Sequence, residues 1–309
     1  MISSASAAML PADQVPDILK RKHIAGGYRP PHQSWSYYLK SVFLPHNEVV
    51  NVWTHLLPVF CFFYGYLWPE LQIRPLNLPL VGLFSGIIAL MLGSTLAHLL
   101  HSRSKIDHIF WFLIDFVGIA FFGIGIGVQR YSCATHSLGF TLDYTFLPLH
   151  LAICLILQFF SNSYLFVCHT DWAPRLHLRI VSSLVLAVWL YVPLYPRYYA
   201  SDQLEEDVGL LRHNRAGQWL LLAGLFMGAN IPERWAPGKF DLFGYGHQLF
   251  HICVNMVAWN LCEAAKIDCG LQQTSGFING IVIGCFVISA LLIYITLYQL
   301  MKIARKMHL

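Results

Sequence analysis

Ser94 and His98 stand four residues apart, and so do His247 and His251. On a helix that spacing puts both members of a pair on one face, one turn apart. Three imidazoles around an open fourth position are the ligand set of a catalytic zinc site, and a helical His-x-x-x-His pair with one further histidine supplies it. Asp115 is an acid inside an apolar run, Phe110-Trp-Phe-Leu-Ile-Asp115-Phe-Val. Beside such a metal it can orient a bound water, accept its proton or fix a ligand imidazole, and Ser94 can hydrogen-bond the same water. Glu48, Asn51 and His55 recur at i, i+3 and i+7 and share a face. They read at least as well as a helix cap and interface anchor. A lone histidine in a membrane is ordinarily satisfied by hydrogen bonds. A ligand role for His98, His247 and His251 therefore rests on whether the elements carrying them bring them to one depth.

Those elements are membrane helices. Of 309 residues, 56% are hydrophobic and only 12% charged, and the mean hydropathy is +0.54. A soluble domain carries roughly twice that share of charge. This excludes a soluble globular enzyme, a disordered chain and a disulfide mini-protein. The net charge of +4 is too mild and scattered for nucleic acid. The first residues, Met1 to Pro16, show no cleaved signal pattern. A spanning helix needs about 20 apolar residues, and eight stretches qualify: 50–69, 77–101, 107–128, 144–168, 177–199, 215–231, 244–264 and 275–302. The expected fold is an all-α polytopic membrane protein with seven core transmembrane helices and an eighth at the C-terminus. Residues 1–45 form a cytosolic tail, in which Trp35, Tyr37 and Tyr38 suit a short interfacial helix, and 46–309 form the transmembrane domain. The pairs Gly82/Gly86, Gly123/Gly127 and Gly224/Gly228 mark close helix packing.

Positive charge sets the orientation. With the N-terminus inside, inner segments hold 14 Lys and Arg and outer segments 6. The acids Asp202, Glu205, Glu206 and Asp207 then fall outside. In this topology Glu48, His98, Asp115 and His247/His251 all lie near the inner ends of their spans, so the groups converge. His101, His108 and His169 read as inner-surface residues without a role, and Asp107 as the N-cap of the third span. Cys133 and Cys269 fall on the outer, oxidising side and can pair if their Cα atoms lie within about 7 Å.

The strings Asn47-Glu48-x-x-Asn51-Val-Trp-Thr-His55, Ser94-x-x-x-His98, Asp115 with Gly118-Ile-Ala, Ile231-Pro-Glu-Arg-Trp-Ala-Pro-Gly-Lys-Phe-Asp241 and His247-x-x-x-His251 resemble the progestin and adipoQ receptor family, in its order. The similarity runs from about residue 25 to the end. Gly27-Tyr-Arg-Pro and the eighth span look most like the membrane progestin receptor branch. The resemblance implies a cytosolic N-terminus and a zinc ion held by His98, His247 and His251, with Asp115 and Ser94 beside its water. It implies a steroid or other lipid ligand and rapid signalling at the plasma membrane, argued in the family to pass through G proteins. It also implies likeness to alkaline ceramidases, so a zinc-dependent lipid amide hydrolase is the second reading. A rhodopsin-like receptor fits badly, because its N-terminus lies outside and Gln129-Arg130-Tyr131 only faintly echoes its motif.

Overall fold

In lipid every backbone N–H and C=O must be satisfied within the segment, which leaves helices as the way to cross for a chain with this pattern. The computed structural model describes residues 8–134, 140–169, 175–200, 207–270 and 276–308 and is a helical bundle. Its long helices are α1 (Val49–Gln72), α2 (Leu78–Leu100), α3 (Lys105–Gln129), α4 (Thr145–Cys168), α5 (Arg175–Tyr191), α6 (Val208–Ala229), α7 (Gly246–Gly270) and α8 (Gly276–His308). Wider π-helical turns interrupt α1 at Phe63–Leu67 and α4 at Ile153–Ser161, and one follows α3 at Arg130–Ala134. The protein is an integral, multi-pass membrane protein. Among the described residues six helices are long and apolar enough to cross a membrane, α1 to α5 and α8. The two others expected from the sequence are present as full helices, of 22 and 25 residues, packed on each other. They fall short on composition because they carry the polar groups of the bundle interior, from His213 on α6 to Asp268 on α7. Of the acidic cluster expected on the far side, Asp202, Glu205 and Glu206 lie outside the described residues.

Helix ends follow local chemistry. Asn77 caps α2 by accepting from Leu80 N, with Pro79 in the first turn. Asp207 caps α6 through Leu210 N. The cap of α3 is Ser104 rather than Asp107, its Oγ accepting from Asp107 N at 3.1 Å. Asp107 sits three positions on, and its carboxylate takes the Ser104 hydroxyl at 2.6 Å. A serine reaches the backbone N–H three residues ahead of it, and an acid at that later position answers reciprocally.

Helices α2 and α3 are the tightest pair, and glycine makes this possible. A Cβ on Gly118 would stand 2.5 Å from Ala89 O, and one on Gly86 would stand 2.7 Å from Phe121 O. Both atoms are backbone and cannot give way. Farther along the same seam, a Cβ on Gly93 would lie 3.4 Å from the Asp115 Cα. The close approach thereby sets Ser94 and His98 beside Asp115. Fully buried Phe84, Ile87, Met91 and Ile124 fill the core around this pair. We expect Gly118→Val to destabilise the protein by about 1–3 kcal/mol through overpacking, read as a lower thermal midpoint in lipid nanodiscs. An unchanged midpoint would show that the seam can part.

The N-terminal segment is folded against the bundle. Leu10 and Tyr28 pair backbone to backbone, Ala25 N donates to Asp241 Oδ1 at 2.9 Å, and Ser34 caps a short helix, Trp35–Lys40. Arg29 is 2% exposed and donates to the carbonyls of His98 (2.7 Å) and Leu99 (2.5 Å). These are orphan acceptors at the C-terminal end of α2, where a cation is favoured.

Candidate metal centre

His98 stands near the end of α2, and His247 and His251 one turn apart at the start of α7. Their ligand-capable nitrogens all lie within 4.8 Å of one another, and no ion is part of the structure. Two hydrogen bonds fix the tautomers. His98 Nδ1 donates to the ionised Glu48 Oε2 at 2.8 Å, a shorter contact than the 3.3 Å approach of Arg21 Nη2 to the same nitrogen. The Thr54 hydroxyl donates to Asn51 O, so at 2.9 Å it accepts from His251 Nδ1. Both rings therefore leave Nε2 without a proton, free to act as a donor atom. His247 Nε2 lies 3.2 Å from His98 Nε2. Nitrogens bound to one tetrahedral zinc at about 2.0–2.1 Å are spaced by about 3.3 Å. The triad fits a metal ion on spacing, tautomer and donor type.

Glu48 is 2% exposed at the mouth of α1. It makes no backbone cap. It binds both guanidinium arms of Arg21, receives Asn51 Nδ2 at 2.5 Å, and holds His98. Burial alone would raise its carboxyl, but the Arg21 charge and the His98 hydrogen bond hold it well below the ordinary carboxylate range. An ionised carboxylate on the far nitrogen of a ligand imidazole orients the ring and raises its basicity. Asn51 also donates to the Tyr245 hydroxyl, which donates to Asn47 O at 2.9 Å. His55 departs from the expected network. It stacks on His251 at 3.8 Å between centroids, and among the described residues neither of its ring nitrogens meets a partner in hydrogen-bonding geometry.

Asp115 and His247 line one cavity of about 320 Å³, with Phe112 and Phe166 among its apolar walls. His101 and His108 line it too and are 4% and 8% exposed, so they are interior groups and not the surface residues their position suggested. Their Nδ1 atoms meet at 3.1 Å. Ser94 is buried one turn before His98. The residues that sequence reasoning missed are Arg21, Thr54 and Tyr245. Lys20-Arg21-Lys22 was legible only as inner charge, and Thr54 sits inside the Asn47–His55 string next to the histidine that carried the attention. At the other end of the bundle Cys133 and Cys269 are joined as a disulfide, Cα atoms 4.9 Å apart.

A family model described as haemolysin-III related matches residues 43–261. The chain belongs to that family. It is 31% identical over 265 residues to membrane progestin receptor alpha of Sus scrofa, covering 82% of this chain and 74% of that one. It is 30% identical to the alpha receptor of Homo sapiens (82% and 75% covered) and 30% to the gamma receptor of Mus musculus (84% and 81%). The resemblance to the progestin and adipoQ receptors, in the membrane progestin receptor branch, is borne out. The haemolysin-III-related match takes in Glu48, Ser94, His98, Asp115, His247 and His251. Arg21, Cys269 and α8 lie beyond it.

We expect Glu48→Gln to weaken metal binding by about 10–100-fold, measured by competition with a coloured chelator. Unchanged affinity would mean that Glu48 serves the tail alone.

Proposed function

We propose that this protein is a membrane receptor for a progestin-class steroid or a related lipid, with a zinc ion held by His98, His247 and His251. Three observations support the metal: the Nε2 spacing, the tautomers set by Glu48 and Thr54, and the donor set. The steroid class comes from the names of the relatives. The proposal includes an N-terminus on the cytosolic side of the plasma membrane, a tail over 1–45 and a transmembrane domain over 46–309. Rapid signalling, through G proteins or otherwise, belongs to the same reading.

A second reading has one specific observation in its favour: Asp115 and His247 share a cavity whose lining joins polar groups to an aromatic and aliphatic patch. Zinc supplies Lewis acidity, polarising an amide carbonyl and acidifying water. Asp115 is then placed to take a proton from water and return it to the leaving amine as the C–N bond breaks. Ser94, buried one turn before His98, would be the hydrogen-bonding group of this reading, and the apolar part of the lining, Phe112, Leu165, Phe166 and Phe226, would seat a lipid chain. A lipid amide, ceramide among them, is the substrate class that suits this arrangement. Receptor and hydrolase can be one protein, with hydrolysis as its output.

One preparation tests both. Wild-type protein in nanodiscs is assayed for zinc by elemental analysis, for binding of a radiolabelled progestin, and for fatty acid release from ceramide. One zinc per chain is expected. A folded protein without stoichiometric zinc, prepared without chelator, would end the metal proposal. Progestin binding that survives zinc removal would separate the steroid site from the metal. Tags on both termini should be reachable only after permeabilisation, and a C-terminal tag exposed on intact cells would contradict the topology.

A further inference from the structure

A second polar cluster is buried at the end of the bundle away from the histidines, and neither reading above uses it. Arg130, just after α3, donates to His213 Nδ1 on α6 at 3.1 Å and to Leu190 O on α5 at 2.5 Å. Arginine is always a donor here, so His213 Nδ1 accepts and its Nε2–H donates to Asp268 Oδ2 on α7 at 2.8 Å. Arg197 Nη1 donates to Asp268 Oδ1 at 3.0 Å, and its Nε donates to Asp207 Oδ2 at 2.8 Å. Arg130, His213 and Asp268 are 3%, 0% and 7% exposed. Next to this cluster in sequence stand the two joined cysteines, Cys133 three residues after Arg130 and Cys269 directly after Asp268. The pairing and the polar cluster together clasp α3 to α7.

The clasp has a fixed relation to the metal centre. Cys133 lies 18 residues beyond Asp115, and Cys269 lies 18 residues beyond His251. At 1.5 Å per residue the α7 interval is about 27 Å, and the one after Asp115 is a little shorter, because its last residues, Arg130 to Cys133, lie in the wider π-helical turn. Helices α3 and α7 run the same way, so nearly equal intervals from one covalent tie bring Asp115 and His251 to within about a helical turn of the same level. Helix α2, with His98 and Ser94, cannot slide against α3, because backbone meets glycine along their seam. The site is therefore assembled from two bodies, α2–α3 and α7. A metal ion would tie them at one end, and the clasp ties them at the other.

We infer that the Cys133–Cys269 clasp with its Arg130–His213–Asp268 cluster is a positioning device that sets the axial register of His247 and His251 against His98 and Asp115, so that metal binding and clasp closure favour each other. The inference rests on the proposed metal site. Linkage makes the effect reciprocal: whatever factor the closed clasp adds to metal affinity, bound metal adds to clasp closure. The sulfurs are readable because they are buried, Cys133 at 3% and Cys269 at 2%. A reductant must wait for that end to open, so the reduction rate reports the opening.

The experiment uses the wild-type chain in nanodiscs, zinc-loaded or stripped with a chelator, and dithiothreitol. Its thiolate attacks one sulfur, its second thiol closes the ring, and dithiothreitol leaves oxidised while two cysteine thiols are released. Alkylation and mass spectrometry of the Cys133 and Cys269 peptides follow the rate. Stripping zinc should speed reduction by about fivefold or more, the lower end of ordinary coupling between sites. The reduced, alkylated protein should bind zinc more weakly by a similar factor. Cys253 and Cys262, free thiols buried along α7, gauge general loosening. Equal reduction rates with and without zinc would overturn the inference. So would alkylation of Cys253 and Cys262 rising in step, which would mean that the bundle loosens as a whole. A wild type that binds no zinc would fail the underlying metal reading instead, an outcome visible before any reductant is added.

Discussion

His251→Ala is expected to leave the purified protein with a small fraction of the zinc carried by the wild type. In the proposed site its ring is one of three donors, and the Thr54 contact at Nδ1 holds it in place. Two imidazoles leave an ion with one protein ligand fewer than the three of an open zinc site. His247→Ala should behave alike, because its Nε2 faces that of His98 at 3.2 Å. Removing a buried donor can also disturb folding, so the variant is compared with His55→Ala. That ring stacks on His251 and has no hydrogen bond to lose. His55→Ala removes a similar volume from the same place and should keep most of its zinc. Equal loss in both variants would show that packing alone governs metal retention and would remove His251 from the ligand set.

Asp115→Asn should keep its zinc and lose hydrolysis. The side chain is not among the three proposed donors; it lines the cavity that His247 also lines. The contact of Asp115 with α2 at Gly93 is made by its backbone, which the substitution leaves in place, and the amide is nearly isosteric. It cannot accept a proton at neutral pH. Loss of a general acid–base group ordinarily costs about 10²–10⁴-fold in rate. Zinc content and fatty acid release, measured on the same sample, separate the roles. If release continues at the wild-type rate, Asp115 is no proton carrier. Loss of zinc along with activity would move it into the ligand set.

The two predictions draw on different kinds of information. Periodicity is local, and the bilayer makes it legible. Because a span must be helical, an interval of four residues fixes a shared face before any tertiary contact is known. Ser94/His98 and His247/His251 could be read this way, and positive-charge counting brought them to one level. The same reasoning found α6 and α7, although their buried polar residues dilute the apolar signal below what spanning by composition requires. Composition also excluded every soluble architecture, since 12% charged residues cannot clothe a water-facing surface.

What tertiary structure decided are the partners of those residues, because hydrogen bonds between distant segments leave no periodic trace. Arg21 reaches Glu48 across 27 residues, Thr54 reaches His251 across 197, and Tyr245 joins Asn51 across 194. A basic tail residue and a threonine inside an apolar run look like hundreds of others until the fold places them. The same holds for His101 and His108, whose position after a span suggests a surface. The tail folds over that end and buries them. Helix spacing determined which faces carry the chemistry. The close backbone seam of α2 and α3, the folded tail and the far clasp decided how those faces meet, because only packing in three dimensions sets register between helices.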